Sequence, residues 1–176
     1  MKLVFPNLLY KENAIDFINE FYEYKSEING SGALDKYLRD STYEEWLNKI
    51  YADIDIANIP KPRVPALTYF YVREEDDKIV GMINIRLALN DFLKREGGHI
   101  GYCIRPTERK KHYATTMLNS ALNVCDTLGI KEVILTCDKL NIASSKVIKN
   151  CNGKLVEEFY SDTYKEELQK YIIERV

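Results

Sequence analysis

Histidine is scarce in this sequence: His99 and His112 are the only imidazoles in 176 residues. A histidine-built metal cluster or a thiol–imidazole pair therefore has few places to form. Cysteine is scarce too. Cys103, Cys125, Cys137 and Cys151 are well separated and form no C-x-x-C pair, so they read as reduced structural thiols and no metal is expected. No apolar run approaches the roughly 20 residues that span a bilayer, which argues against a membrane partner. Met1 to Asn7 lacks the apolar block and cleavage site of a secretory signal, so the expectation is a cytoplasmic protein. Neither sign of charge dominates. With 25 basic and 27 acidic residues the net charge is -2, which gives no global attraction to nucleic acid. Repeats, low-complexity tracts and domain-scale linkers are also missing.

What is present is one domain's worth of patterned chain, expected as a single unit over residues 1–176. Residues 1–65 read as helical. Ala14, Phe17, Ile18, Phe21 and Tyr22 recur at helical spacing between Lys11 and Lys25. Asn29-Gly-Ser-Gly32 breaks that pattern and predicts a sharply turned loop. Ser41-Thr-Tyr-Glu44 matches a capping box with Ser41 as N-cap. The helix it opens carries Tyr43, Trp46, Leu47, Ile50, Tyr51 and Ile54 on one face. Pro60, Pro62 and Pro65 then impose an extended connector.

Over residues 66–176 the period changes to two. Leu67 to Val72 and Ile79 to Leu89 predict a hairpin around an acidic turn at Glu74 to Asp77. Gly97-Gly98 turns the chain into a third strand, His99 to Ile104. Met117, Leu118, Ala121, Leu122, Cys125 and Leu128 form a helical stripe that Gly129 stops. Val133, Leu135 and Cys137 alternate as a strand, and a helix from Ile142 to Lys149 follows, ended by Gly153. Leu155 to Tyr160 and Leu168 to Glu174 close the chain as strands. A strand–helix–strand crossover in an otherwise antiparallel order predicts an α/β (α+β) fold. The expected architecture is a central mixed, mostly antiparallel sheet of six to seven strands with helices on both faces.

The chemistry-bearing stretch is Arg109-Lys-Lys-His-Tyr-Ala114, set between a strand and a helix. Backbone N–H groups at a helix N-terminus, with Arg109, Lys110 and Lys111 beside them, suit a phosphorylated ligand. The stretch resembles the pyrophosphate loop of the GNAT N-acetyltransferase superfamily, Arg/Gln-x-x-Gly-x-Gly/Ala. Arg109 matches its first position and Ala114 its last, while His112 stands where the family has its first glycine. Tyr113, Thr115, Met117 and Leu118 resemble the usual continuation, and Asn141-Ile-Ala-Ser144 resembles the family's second motif. The resemblance covers roughly residues 67–176, and the first 65 residues match only loosely, as acceptor-side helices.

The resemblance implies acetyl-coenzyme A as co-substrate and direct attack by an amine of a small molecule, peptide or protein in a ternary complex. It implies a cofactor site at Tyr102, Cys103, Ile104, Arg109, Lys110, Lys111, His112, Tyr113, Ala114, Thr115, Asn141 and Ser144. Cys103 or Ile104 would offer a backbone N–H to the thioester carbonyl. A β-carbon at His112 is expected either to crowd the phosphate or to adopt positive φ at a cost of about 1–3 kcal/mol. His99 is the candidate base, since its ordinary pKa suits proton acceptance. The family's frequent acid, a tyrosine seven residues after the motif asparagine, is replaced by Ile148, which leaves Tyr160 among other tyrosines as candidate. On the second hairpin strand Asn84 and Arg86 share a polar face, and Arg86 suits an acceptor carboxylate or phosphate. Gly30 and Ser31 would form the acceptor rim. A catalytically silent domain that senses an acyl-coenzyme A or a metabolite is the alternative, and a homodimer is left open.

Overall fold

Alternation of apolar and polar residues builds the first sheet, and the computed structural model describes it within residues 1–175, apart from the side chain of Asn58. Strand β1 (Lys2–Val4) pairs antiparallel with β2 (Ala66–Arg73). Strands β3 (Lys78–Arg86) and β4 (Ile100–Ile104) extend the same sheet in the order β1-β2-β3-β4. The second sheet contains β5 (Glu132–Asp138), β6 (Lys154–Ser161) and β7 (Glu166–Glu174), in the order β5-β7-β6. Every ladder in both sheets is antiparallel.

The α/β class and the seven strands agree with expectation, but the single mixed sheet becomes two. The crossover helix brings β5 beside β4, yet the strands meet only at one point. There the His99 backbone N–H donates to the Ile134 carbonyl at 2.7 Å. The His99 carbonyl is already taken by the Arg86 N–H, at 2.7 Å, so an ordinary parallel ladder cannot start from it.

Helices cover both faces of the first sheet. Helices α1 (Lys11–Glu23) and α3 (Tyr43–Ala52) bury Phe17, Phe21, Trp46 and Ile50 against Phe70, Val72, Met82 and Cys103. Helices α4 (Tyr113–Thr127) and α5 (Ile142–Asn150) cover the other face, where Met117, Leu118, Leu122 and Ile148 pack with Ile83, Ile100, Ile104, Leu135 and Tyr171. Each such side chain contributes about 1.5–3 kcal/mol of burial. All four cysteines are buried free thiols.

Several local expectations shift. Strand β1 and the short helix α2 (Leu34–Asp40) lie in the stretch read only as helices and loop. Both are too short to leave a period. The cap of α3 is Thr42, whose Oγ1 accepts from the Glu45 N–H at 3.1 Å, while Ser41 bonds the Glu45 carboxylate. Tyr51, Ile54 and Leu128, expected on buried faces, are exposed at helix ends. β3 ends at Arg86 rather than Leu89. Helix α5 ends at Asn150, and Asn152 rather than the expected stop residue Gly153 takes a left-handed φ, 65°.

Candidate functional site

The chain leaves β4 through a tight turn at Pro106–Glu108 and reaches α4 through Arg109, Lys110, Lys111 and His112. Lys110 and His112 both adopt left-handed backbone, with φ of 64° and 63°. This alternation curls the main chain so that successive N–H groups face one concavity. His112 is the N-cap without a side-chain cap, and the first helical bond runs from the Thr116 N–H to the His112 carbonyl at 3.2 Å. Among the described residues, the N–H groups of Lys110, Lys111, His112, Tyr113, Ala114 and Thr115 donate to no protein acceptor. Six unpaired donors at the positive end of a 15-residue helix form an anion cradle. His112 is exposed and takes the positive-φ branch of the two expectations, leaving the cradle open.

Side chains fix this loop from below. Glu108 is 4% exposed and lies 3.0 Å from Arg73, 3.3 Å from Lys78 and 2.8 Å from Lys111. Burial alone would raise its carboxyl, but hydrogen bonds from Lys111, Lys78 and Arg73 outweigh burial and hold it below the ordinary range. Glu20 of α1 accepts from the Thr107 N–H and hydroxyl at 2.9 and 2.8 Å. Arg109 donates to the Ile104 carbonyl at 3.1 Å and the Ser26 hydroxyl at 2.7 Å, and lies over the Phe21 ring. Its guanidinium is therefore engaged with protein, as is the Lys111 ammonium, whereas Lys110 forms no side-chain bond or ion pair among the described residues. The sequence reading missed Glu108 and Glu20. The visible signal was one acidic residue inside the basic run Glu108-Arg-Lys-Lys111.

Beside the cradle lies a slot between the sheets. The Arg105 N–H bonds the Val80 carbonyl and the Arg86 N–H bonds the His99 carbonyl. By antiparallel alternation, Gly101 and Cys103 then point their backbone groups at β3, whereas Tyr102 and Ile104 point theirs outward. Of the two donors expected, Ile104 faces the slot and Cys103 does not. No register shift interrupts β4, so the donor is free because β4 is an edge rather than because of a bulge. The same alternation in β5, anchored by the Lys139 N–H on the Glu167 carbonyl, turns Thr136 towards the slot. Two strand edges with unpaired amides thus diverge from the His99–Ile134 contact. Behind them the Tyr102 hydroxyl lies 3.0 Å from the Ser144 hydroxyl, and Asn141 caps α5 by accepting from the Ser144 N–H at 3.0 Å. The Asn141 motif is thereby joined to β4.

The predicted acceptor and catalytic residues behave differently. Gly30 lies directly on β4, where a β-carbon would meet the Gly101 carbonyl oxygen at 2.1 Å. Ser31 is buried and bonds Asp35 at 2.8 Å. Asn84 bonds Thr68 at 3.0 Å, and Arg86 donates to the Gly97 and Gly98 carbonyls at 2.8 and 2.9 Å. His99 Nδ1 accepts from the Ile134 N–H at 3.0 Å, and burial, then the Arg86 charge, hold the imidazole below its ordinary pKa. Tyr160 is exposed on β6, the edge strand two places from β5.

This loop, slot and strand order can be compared with known proteins. A family model described as an acetyltransferase (GNAT) domain matches residues 19–154. The chain belongs to the GNAT acetyltransferase family. The sequence significantly matches no curated protein. Among solved structures, RimJ from Mycobacterium smegmatis, in complex with a CoA-disulfide, is 13% identical with a TM-score of 0.72 and covers 98% of this chain and 80% of its own. The microcin C7 self-immunity acetyltransferase MccE, in complex with acetyl-CoA and AMP, is 19% identical with a TM-score of 0.67, covering 98% and 91%. The spermidine N-acetyltransferase SpeG from Vibrio cholerae is 12% identical with a TM-score of 0.64, covering 99% and 95%. At these identities the likeness is one of GNAT fold. Among the described residues, no helix is long and apolar enough to cross a membrane.

Proposed function

We propose that this GNAT protein transfers an acetyl group from acetyl-coenzyme A to an amine by direct attack in a ternary complex. The observation that carries this reading is the run of six unpaired N–H groups from Lys110 to Thr115, opening beside two unpaired strand edges. The cradle suits a diphosphate, with Lys110 and Lys111 adding charge and Arg109 holding the loop in shape. The Tyr102, Ile104 and Thr136 backbones suit the amides of a pantetheine arm lying between β4 and β5 as a pseudo-strand. Acetyl-coenzyme A supplies the activated thioester carbonyl, and the Ile104 N–H is the donor aimed at it.

The amine side is supported by charge. Glu27, Asp138 and Glu166 lie near enough that burial, then Asp138 and Glu27, raise the Glu166 carboxyl. Negative potential at that mouth draws a protonated amine. We do not assign His99 as base, because its Nδ1 lone pair is engaged by Ile134. Deprotonation then falls to solvent at the open mouth. Tyr160 remains assigned as acid only if a ternary complex brings the thiol to β6.

Calorimetry with acetyl-coenzyme A and with acetyl-pantetheine, which lacks the diphosphate, tests the reading. The diphosphate should strengthen binding by at least about 100-fold, as charge-assisted bonds to several amides imply. Equal affinities would remove the cradle from the argument. Binding without thiol release across a panel of amines would favour the silent sensor instead.

A further inference from the structure

We propose that His99 is a positioning residue that joins the two sheets at the closed end of the slot, its imidazole standing in for a backbone carbonyl. The inference rests on the cofactor lying in that slot. In a parallel ladder the His99 N–H would donate to the Ile134 carbonyl, and the Ile134 N–H to the carbonyl two residues before His99, that of Gly97. Here the His99 N–H donates to the Ile134 carbonyl at 2.7 Å, but the Gly97 carbonyl is taken by the Arg86 guanidinium at 2.8 Å and the His99 carbonyl by the Arg86 N–H. The Ile134 N–H would therefore be left without a partner. Nδ1 takes it at 3.0 Å. One residue thus bonds to β3 with its carbonyl and to β5 with both its N–H and its ring.

The surroundings fix the clamp. Gly98 has φ of 63°, and a β-carbon there would meet the Ile134 carbonyl at 2.5 Å, so the turn presses flat on β5. Arg86 donates to the Gly97 and Gly98 carbonyls and braces that turn. The Thr136 hydroxyl donates to the Glu96 carbonyl at 2.6 Å, a second tie on the same side. Beyond these ties β4 and β5 separate, so the clamp determines where their edges begin to diverge and how Tyr102 and Thr136 face each other.

The clamp works only with an unprotonated Nδ1, since a protonated ring would set two donors against each other. Arg86 on β3 is the charge felt by the ring. In the preceding turn Glu96 is tied to the Ser161 hydroxyl at 2.8 Å, and Arg95 is paired with Glu157 and lies over Phe159. Beside the contact β5 brings Val133, Ile134 and Leu135, none of which titrates. Below about pH 6.5 the unfolded chain binds a proton that the native ring resists, so the clamp weakens as pH falls.

The test uses wild type, His99→Asn and His99→Ala. Asparagine places Oδ1 where Nδ1 stands and cannot titrate. Nitrogen NMR of the ligand-free protein should show an Nε2-protonated His99 and a slowly exchanging Ile134 amide at about pH 7.5. Between about pH 7.5 and 5.5, wild type should lose acetyl-coenzyme A affinity about tenfold more than His99→Asn does, while His99→Ala is weak at both. At neutral pH His99→Asn should bind within about threefold of wild type. An Nδ1-protonated ring, or an asparagine variant as impaired as alanine, overturns the clamp. If the NMR result holds but no form binds acetyl-coenzyme A, the clamp stands and the slot's cofactor assignment fails.

Discussion

Two loops in this protein pass through left-handed backbone, one opening α4 and the other leading into α2, and they are held in opposite ways. In the first, Lys110 and His112 have positive φ with side chains in solvent and N–H groups that meet no protein acceptor. In the second, Gly30 has φ of 71° and is pressed onto the Gly101 carbonyl. The same local conformation serves ligand access in one place and close packing in the other. A histidine can therefore replace the family's glycine at position 112, where strain is the only cost. Position 30 has no such freedom.

The sharpest way to break this contrast is Gly30→Ala. Strain at positive φ together with a backbone clash should destabilise the protein by about 4 kcal/mol in urea unfolding. A loss below about 1 kcal/mol would show that the acceptor loop is not packed as described.

Glu108→Gln comes next, removing the carboxylate that holds Arg73, Lys78 and Lys111. It should cost about 2 kcal/mol, because the buried carboxylate's charge-assisted bonds to three partly exposed cations are weakened. The wild-type contribution has a defined pH sense. A carboxyl held below its ordinary value stabilises fully above the unfolded pKa of about 4.3 and loses that contribution as pH falls through the native value. The variant's stability should therefore vary less with pH in that acid window.

Tyr102→Phe should have a smaller effect. Losing the bond to Ser144 should cost about 1 kcal/mol and weaken acetyl-coenzyme A binding several-fold by loosening β4 against α5. His112→Gly should be the mildest and of opposite sign. Relief of positive φ, offset by glycine's greater unfolded entropy, should stabilise by about 0.5 kcal/mol. Acetyl-coenzyme A affinity should hold or improve. A drop of more than about tenfold would show that the imidazole itself contacts the ligand.

The helical stripes of α1, α3 and α4, the hairpin and the closing strands were legible because each repeats a period long enough to register. β1 and α2 were not, being 3 and 7 residues long. In the site, the Arg109 to Ala114 loop was legible as a motif, since its donors are main-chain groups set by local geometry. The roles of Arg86, His99 and Arg109 were not legible. Arg86 and Arg109 were read as reaching for a ligand and His99 as a base, and each is bonded to a backbone or hydroxyl group distant in sequence.

The sequence alone determined which segments curl, alternate or stop, and that a run of helix-opening amides stands beside Lys110 and Lys111. Those features depend on neighbours within a few residues. Only the tertiary structure decided that the sheet divides between β4 and β5, that Glu108 is buried under three cations, and that the His99 ring completes a bridge to Ile134. These outcomes depend on where hydrogen-bond partners arrive from distant parts of the chain, and a buried donor takes whichever acceptor the packed fold brings to it.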